Sequence, residues 1–152
     1  TDKMPHKIDI GAVFNLPPKN HNSADKKVFV PIEKEMVFDI DMTDYDGVRT
    51  CCTGAKVCPK CWSYMACATH VLNSILTKDF GFQCLLWVFS GRRGIHCWIA
   101  DEQARQMTNE QRAAVTEYVH LNVGSDTSSI ELSSPLHPML EKSYKYLERR
   151  FE

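Results

Sequence analysis

A chain of 152 residues with 43% apolar content can bury one sizeable core, which excludes a disordered chain and predicts one domain, or most of one. Lysine and arginine number 18 against 19 acidic residues, a net charge of -1, so binding of nucleic acid through an overall basic surface is excluded and any phosphate-binding charge must be local. No apolar run approaches the roughly 18 residues of a membrane span, and Thr1-Asp2-Lys3-Met4-Pro5 lacks a signal pattern, so the expectation is a soluble, intracellular protein with no membrane partner.

Along the chain, Ile8 to Phe14 has an extended pattern, and Pro17-Pro18-Lys19-Asn20-His21-Asn22 follows as a turn-rich loop in which proline denies a regular ladder. Val28 to Pro31 and Met36 to Asp41 (MVFDID) are predicted strands, the second broken by Thr43-Asp44-Tyr45-Asp46-Gly47. Trp62, Met65, Thr69, Leu72, Ile75 and Leu76 recur at helical spacing and predict a helix of about four turns, with Gly81 on its far side. Leu85 to Phe89 (LLWVF) and Ile95 to Ala100 (IHCWIA) flank Ser90-Gly91-Arg92-Arg93-Gly94, the pattern of a hairpin. Thr108 and Gln111 make a capping box for a helix through about Asn122, with Gly124 suited to its C-terminal position. A loop over 124–135, with at most one short strand, then precedes a helical pattern of Leu140, Tyr144, Leu147 and Phe151. That pattern is still running at the last residue, which predicts a chain cut from a longer polypeptide.

Chemistry concentrates in three places. Asp39 and Asp41 stand two apart on a strand, so both carboxylates project to one side, about 7 Å apart at Cα. Apolar Met36, Val37, Phe38 and Ile40 around them predict a partly buried strand where two bare charges are costly, and a divalent cation removes that cost. The alternative is a solvated turn onset, which acidic residues also favour.

Of seven cysteines, Cys51, Cys52, Cys58 and Cys61 fall within eleven residues, and Cys58-Pro59-Lys60-Cys61 is a C-x-x-C knuckle, while Cys67, Cys84 and Cys97 lie in apolar stretches. Four thiolates suit tetrahedral structural zinc, although the adjacent pair Cys51-Cys52 departs from the usual two-knuckle spacing. The alternatives are a redox pair or unliganded buried thiols, and His70, on the following helix, is the nearest substitute ligand.

The third place is Ser90-Gly91-Arg92-Arg93-Gly94-Ile95-His96. Two guanidinium groups, a hydroxyl and an imidazole supply converging donors that suit a triphosphate, and strand alternation puts His96 and Trp98 on one face with Ile95, Cys97 and Ile99 on the other. An exposed basic turn and a hydrogen-bonded core histidine are the competing explanations. Acidic metal ligands together with a cationic phosphate clamp are the two halves of a nucleotidyl-transfer site.

The order and spelling of VFDIDMTDYD, CC, CPKCW, DFGF and LWVFSGRRGIHCW, with Lys7-Ile8-Asp9-Ile10-Gly11-Ala12-Val13 before and Asp101-Glu102 after, resemble the archaeal and eukaryotic primase superfamily, specifically the small catalytic subunit of eukaryotic-type DNA primases. The resemblance implies a mixed α/β (α+β) fold, a mixed-sheet catalytic core with helices and a zinc-binding insertion. It implies that residues 1–152 are a truncated catalytic domain with the zinc motif at 51–61. It also implies that Asp39 and Asp41 bind catalytic Mg²⁺ or Mn²⁺, that Ser90, Arg92, Arg93 and His96 hold the nucleotide's triphosphate, that Lys7 and Asp9 lie near the nucleotide, and that Cys51, Cys52, Cys58 and Cys61 bind structural Zn²⁺. The implied function is synthesis of short RNA primers from nucleoside triphosphates on single-stranded DNA in the nucleus, alongside an iron-sulfur large subunit and DNA polymerase alpha. A third metal-binding aspartate and further basic residues are implied downstream of the SGRRGIH motif, outside this sequence. The alternative is a zinc-stabilised module that binds nucleotide or a partner without activity of its own.

Overall fold

The computed structural model describes residues 4, 8–20, 22, 28–120, 132 and 134–151. In chain order the elements are β1 (Val13–Phe14), β2 (Pro31–Glu33), β3 (Met36–Asp41), α1 (Pro59–Lys78), β4 (Leu85–Phe89), β5 (Gly94–Ile99), α2 (Glu102–Arg105), α3 (Asn109–Val119) and α4 (Pro138–Phe151), with single 3-10 turns at Pro18–Asn20 and Met42–Tyr45. The architecture is α+β, and the described strands form a β1-β2 ribbon and a three-stranded sheet in the order β3-β5-β4, antiparallel throughout.

Alternation along β3 gives the sheet two unlike faces. Met36, Phe38 and Ile40 pair with Ile99, Cys97 and Ile95 of β5, which in turn pair with Leu85, Trp87 and Phe89 of β4. This apolar face is covered by α1. The far half of α1 brings Leu72 and Leu76 to a cluster with Met36, Cys97, Ile99 and Phe82, and its near half brings Cys61 and Met65 to Met42 and Ile95. Trp87 Nε1 donates to Asn73 Oδ1 at 3.1 Å, tying sheet to helix. On the opposite face Val37, Asp39 and Asp41 pair with Trp98, His96 and Gly94, and no described helix covers the polar end of that row.

Helix α1 starts at an extended Cys58 followed by Pro59, whose fixed φ suits a first turn, and the chain leaves it through Gly81 at φ +76, a conformation that glycine adopts without strain. The β4-β5 turn is built similarly, with Gly91 at φ +90, Ser90 N–H donating to the Gly94 carbonyl at 2.9 Å and Gly94 N–H donating to Ser90 Oγ at 3.0 Å. Thr108 and Gln111 form the reciprocal cap of α3, and α4 lies on α1 through the stacked rings of His70 and Tyr146, 3.6 Å apart.

Boundaries differ from the sequence expectations at several places: only Val13–Phe14 of the extended stretch Ile8 to Phe14 forms a strand, and α1 runs for 20 residues, beyond the expected four turns. The strand expected at Val28 to Pro31 is displaced to Pro31–Glu33; at Val28 and Val30 the chain is held by one backbone bond, Asn15 N–H to Val30 O at 3.1 Å, and by the Asn15 side chain, which reaches Val28 O at 2.7 Å and Val30 N at 3.1 Å. Helix α3 ends at Val119 rather than near Asn122, since His120 is already extended. Gly124, most of the 124–135 loop and Lys7 lie outside the described residues.

Candidate active site and metal centre

The register fixes the acidic pair against the basic hairpin. Asp39 stands directly across from His96, and Asp41 from Gly94, so the side chains of Asp39, Asp41 and His96 share the uncovered face. His96 Nε2 lies 3.2 Å from Asp39 Oδ1, and the Asp39 side chain is 71% exposed. Arg93, one residue before β5, turns its Nε to both oxygens of Asp41, at 2.7 and 2.8 Å. Ser90 spends one lone pair on the Gly94 amide and keeps its hydroxyl proton for another acceptor. Arg92 is exposed at the turn.

Asp41 carries more donors than Arg93 alone. Its Oδ1 also accepts from Thr43 N at 2.9 Å and Thr43 Oγ1 at 2.8 Å, while Asp44 Oδ2 accepts from Asp41 N at 3.2 Å, a reciprocal cap for the 3-10 turn. The hydrogen bond from Arg93, and after it the one from the Thr43 amide, hold the Asp41 carboxyl well below the usual carboxylate range. Arg93 is correspondingly raised, chiefly by that same bond to Asp41. The arrangement can present anionic oxygens and guanidinium donors to one space, the chemistry that a metal-bound polyphosphate needs.

The turn after β3 leads directly into the cysteine cluster. One sulfur each from Cys51, Cys52, Cys58 and Cys61 lies within 4.8 Å of the others, and Cys58 Sγ and Cys61 Sγ are 3.8 Å apart. A tetrahedral zinc with bonds of about 2.3 Å spaces its sulfurs about 3.8 Å apart, so this set could hold zinc with small closure, and the adjacent Cys51-Cys52 pair is accommodated by an irregular chain rather than a strand. Cys58 N–H donates to Cys61 Sγ at 3.2 Å, as expected of a metal knuckle. The Cys58 thiol is drawn down to about 6, first by the backbone N–H of Cys61, and Cys52 is pushed up to about 12, first by its hydrogen bond to Cys58. His70 is not a substitute ligand: it sits nine residues beyond Cys61 on α1, about 13 Å along the axis, stacked on Tyr146.

Of the other expected site residues, Asp9 is exposed in the irregular stretch before β1. Two residues near these sites carried no sequence pattern of their own. Thr43, two after Asp41, is legible in hindsight as the third member of a D-x-T cap. Arg49, three after Asp46, is buried at 4% exposure with Nη1 3.9 Å from Cys61 Sγ, and no local sequence pattern signalled it.

The chain is matched over residues 38–152 by the family model described as DNA primase small subunit. It is 47% identical over 155 aligned residues to the DNA primase small subunit of Drosophila melanogaster, covering 99% of this chain and 35% of the relative. It is 45% identical to that of Saccharomyces cerevisiae (97% of this chain, 36% of the relative) and 42% identical to that of Schizosaccharomyces pombe (97% and 33%). It therefore spans about a third of the length of these relatives. With the family model matching residues 38–152 and relatives 42–47% identical over nearly the whole chain, the chain belongs to the DNA primase small subunit family.

Proposed function

We propose that the chain carries part of the nucleotidyl-transfer site of a DNA primase, an enzyme that makes short RNA primers on single-stranded DNA for replication. Asp39 and Asp41 are the seat for two catalytic divalent cations, Mg²⁺ or Mn²⁺, which when bound neutralise the triphosphate and lower the pKa of the attacking 3′-hydroxyl. Ser90, Arg92, Arg93 and His96 hold the nucleotide's phosphates, and Lys7 and Asp9 lie near its sugar, with Asp9 a ribose contact. The four cysteines hold a structural zinc. The third metal-binding aspartate comes from a downstream part of the protein, and the partners are the iron-sulfur large subunit and DNA polymerase alpha, in the nucleus.

The observation that carries this reading is the shared face of acids and bases: Asp39 opposite His96 and Asp41 bound to Arg93. The Arg93-Asp41 contact uses Nε for both oxygens, and its planar fork retains terminal donors that suit a phosphate. Positions two apart on a strand also let both carboxylates reach one polyphosphate-sized space. In the full-length subunit, Asp39→Ala is expected to abolish dinucleotide formation from nucleoside triphosphates; primer synthesis at the parent rate by that variant would reject the assignment.

One observation favours a second reading, a zinc-stabilised binding module without chemistry. The Asp41 carboxylate is already engaged by Thr43 and Arg93, as a purely structural cap would be. Nucleotide titrations with and without Mn²⁺, on the parent and on Asp39→Ala, separate the two, because a catalytic metal seat makes triphosphate affinity depend on the cation in a way that loss of the Asp39 carboxylate removes.

A further inference from the structure

The turn between the acidic strand and the cysteine cluster contains a buried cation that the reaction proposed above does not use. Arg49 has a fully buried side chain, and every arm of its guanidinium is spoken for. Nε donates to Asp46 Oδ1 at 2.5 Å, Nη2 to the Gly54 carbonyl at 2.7 Å, and Nη1 to the Lys56 carbonyl at 2.9 Å while facing Cys61 Sγ at 3.9 Å. Asp46 closes the ring by accepting the Gly54 amide on Oδ2 at 2.9 Å.

These partners lie where they matter for the ligand set. Gly54 and Lys56 belong to the stretch that separates Cys52 from Cys58, so one planar group fixes the span between the two halves of the cluster. Four thiolates around a divalent cation leave a net charge of −2, and at Cys61, the buried member of the set, that charge requires a donor aimed at the sulfur. Arg49 supplies both needs at once, a permanent positive charge against Cys61 and a rigid fork across the loop. A lysine carries the charge but lacks the fork.

We infer that Arg49, held by Asp46, is a positioning residue of the metal centre and sets how tightly zinc is retained. The inference rests on the zinc reading proposed above. It extends to the acidic strand by continuity, since Asp41 caps the 3-10 turn whose end carries Asp46, and Arg49 N–H donates to Tyr45 O at 2.9 Å.

The test uses the full-length subunit. Stoichiometric zinc in the parent, lost in Cys58→Ser, checks the zinc reading by itself. Arg49→Lys, Arg49→Met and Asp46→Asn are then challenged with a chromophoric chelator, and zinc release is timed. Replacing an outer-shell partner typically costs about 10–100-fold in metal affinity, so release is expected to quicken by that order in both Arg49 variants and by less in Asp46→Asn. Cobalt-substituted protein gives a second readout, a shifted thiolate-to-cobalt absorption in Arg49→Lys despite its retained charge. If Arg49→Met does not fold, Arg49→Lys and Asp46→Asn carry the test. Parent-like release and an unchanged cobalt spectrum in the folded variants would overturn the role of Arg49, whereas a zinc-free parent would overturn the zinc reading instead.

Discussion

At the scale of the residue, Asp41 does two things that pull on the same carboxylate. It caps the turn after β3 through Thr43 and it pairs with Arg93, and both favour the charged form. A carboxyl whose pKa is lowered on folding contributes stability that is fully present above its unfolded value, near 4, and that disappears as pH falls through the folded value. The side chain is 34% exposed, so solvent screens the pair and its contribution is about 1 kcal/mol or less. Asn is as good a cap as Asp, which makes Asp41→Asn a clean removal of the charge. Its melting temperature is expected to lie below the parent's at pH 7 and to converge on it as pH drops below about 4. Thermal melts of both proteins across that range check this, and a gap that stays constant with pH would show that the Arg93 pairing contributes nothing.

At the scale of the element, the close approach of β3 to β5 is set by Gly94. It is buried opposite Asp41, and a Cβ there would stand 2.6 Å from the Ile40 carbonyl oxygen, a backbone atom that cannot step aside alone. Gly94→Ala is therefore expected to cost about 1–3 kcal/mol through overpacking and to pull Arg93 away from the acidic pair, read as a lower denaturation midpoint together with weaker nucleotide binding. An unchanged midpoint would mean that the strands separate freely at this end. The same strands explain what could be read before any coordinates. Period-two alternation in MVFDID and IHCWIA specified which side chains of each strand share a face, since a one-residue slip would turn every apolar side chain outward, whereas the β3-β5 pairing that sets Asp39 across from His96 is a long-range register that alternation alone does not give. The Thr108/Gln111 cap likewise announced α3 through local chemistry. The displaced β2 did not announce itself, because the contacts of Asn15 that hold the chain before it are long-range and no local pattern records them. Arg49 was silent for the same reason: its partners are carbonyls of an irregular loop, and a lone arginine has no period.

At the scale of the whole molecule, α1 joins two apolar clusters of different origin. The cluster of Met36, Leu72, Leu76, Phe82, Cys97, Ile99, Ala104 and Val115 is made by sheet and helices, with Phe82 added from the connection between α1 and β4. The cluster of Met42, Cys61, Met65 and Ile95 includes one of the four cysteines of the metal centre, so its packing and the proposed zinc are coupled through Cys61. Few regular backbone pairings hold residues 46–57, and segments of that kind open with low free energy unless something else restrains them. The proposed zinc would add such a restraint, because a site absent from the unfolded chain contributes its binding energy to folding. Zinc removal by a chelator is expected to release hydrogen-exchange protection over residues 42–61 and the first turns of α1, while the far half of α1 and the β4-β5 ladder keep theirs. The uncovered sheet face would then lose the orientation of Asp41 and Arg93 relative to Asp39 and His96 without global unfolding, and nucleotide affinity would fall before the melting transition moves. Exchange measured with and without chelator decides this, and a uniform loss of protection across both clusters would show a single cooperative unit in which the metal supports the entire sheet.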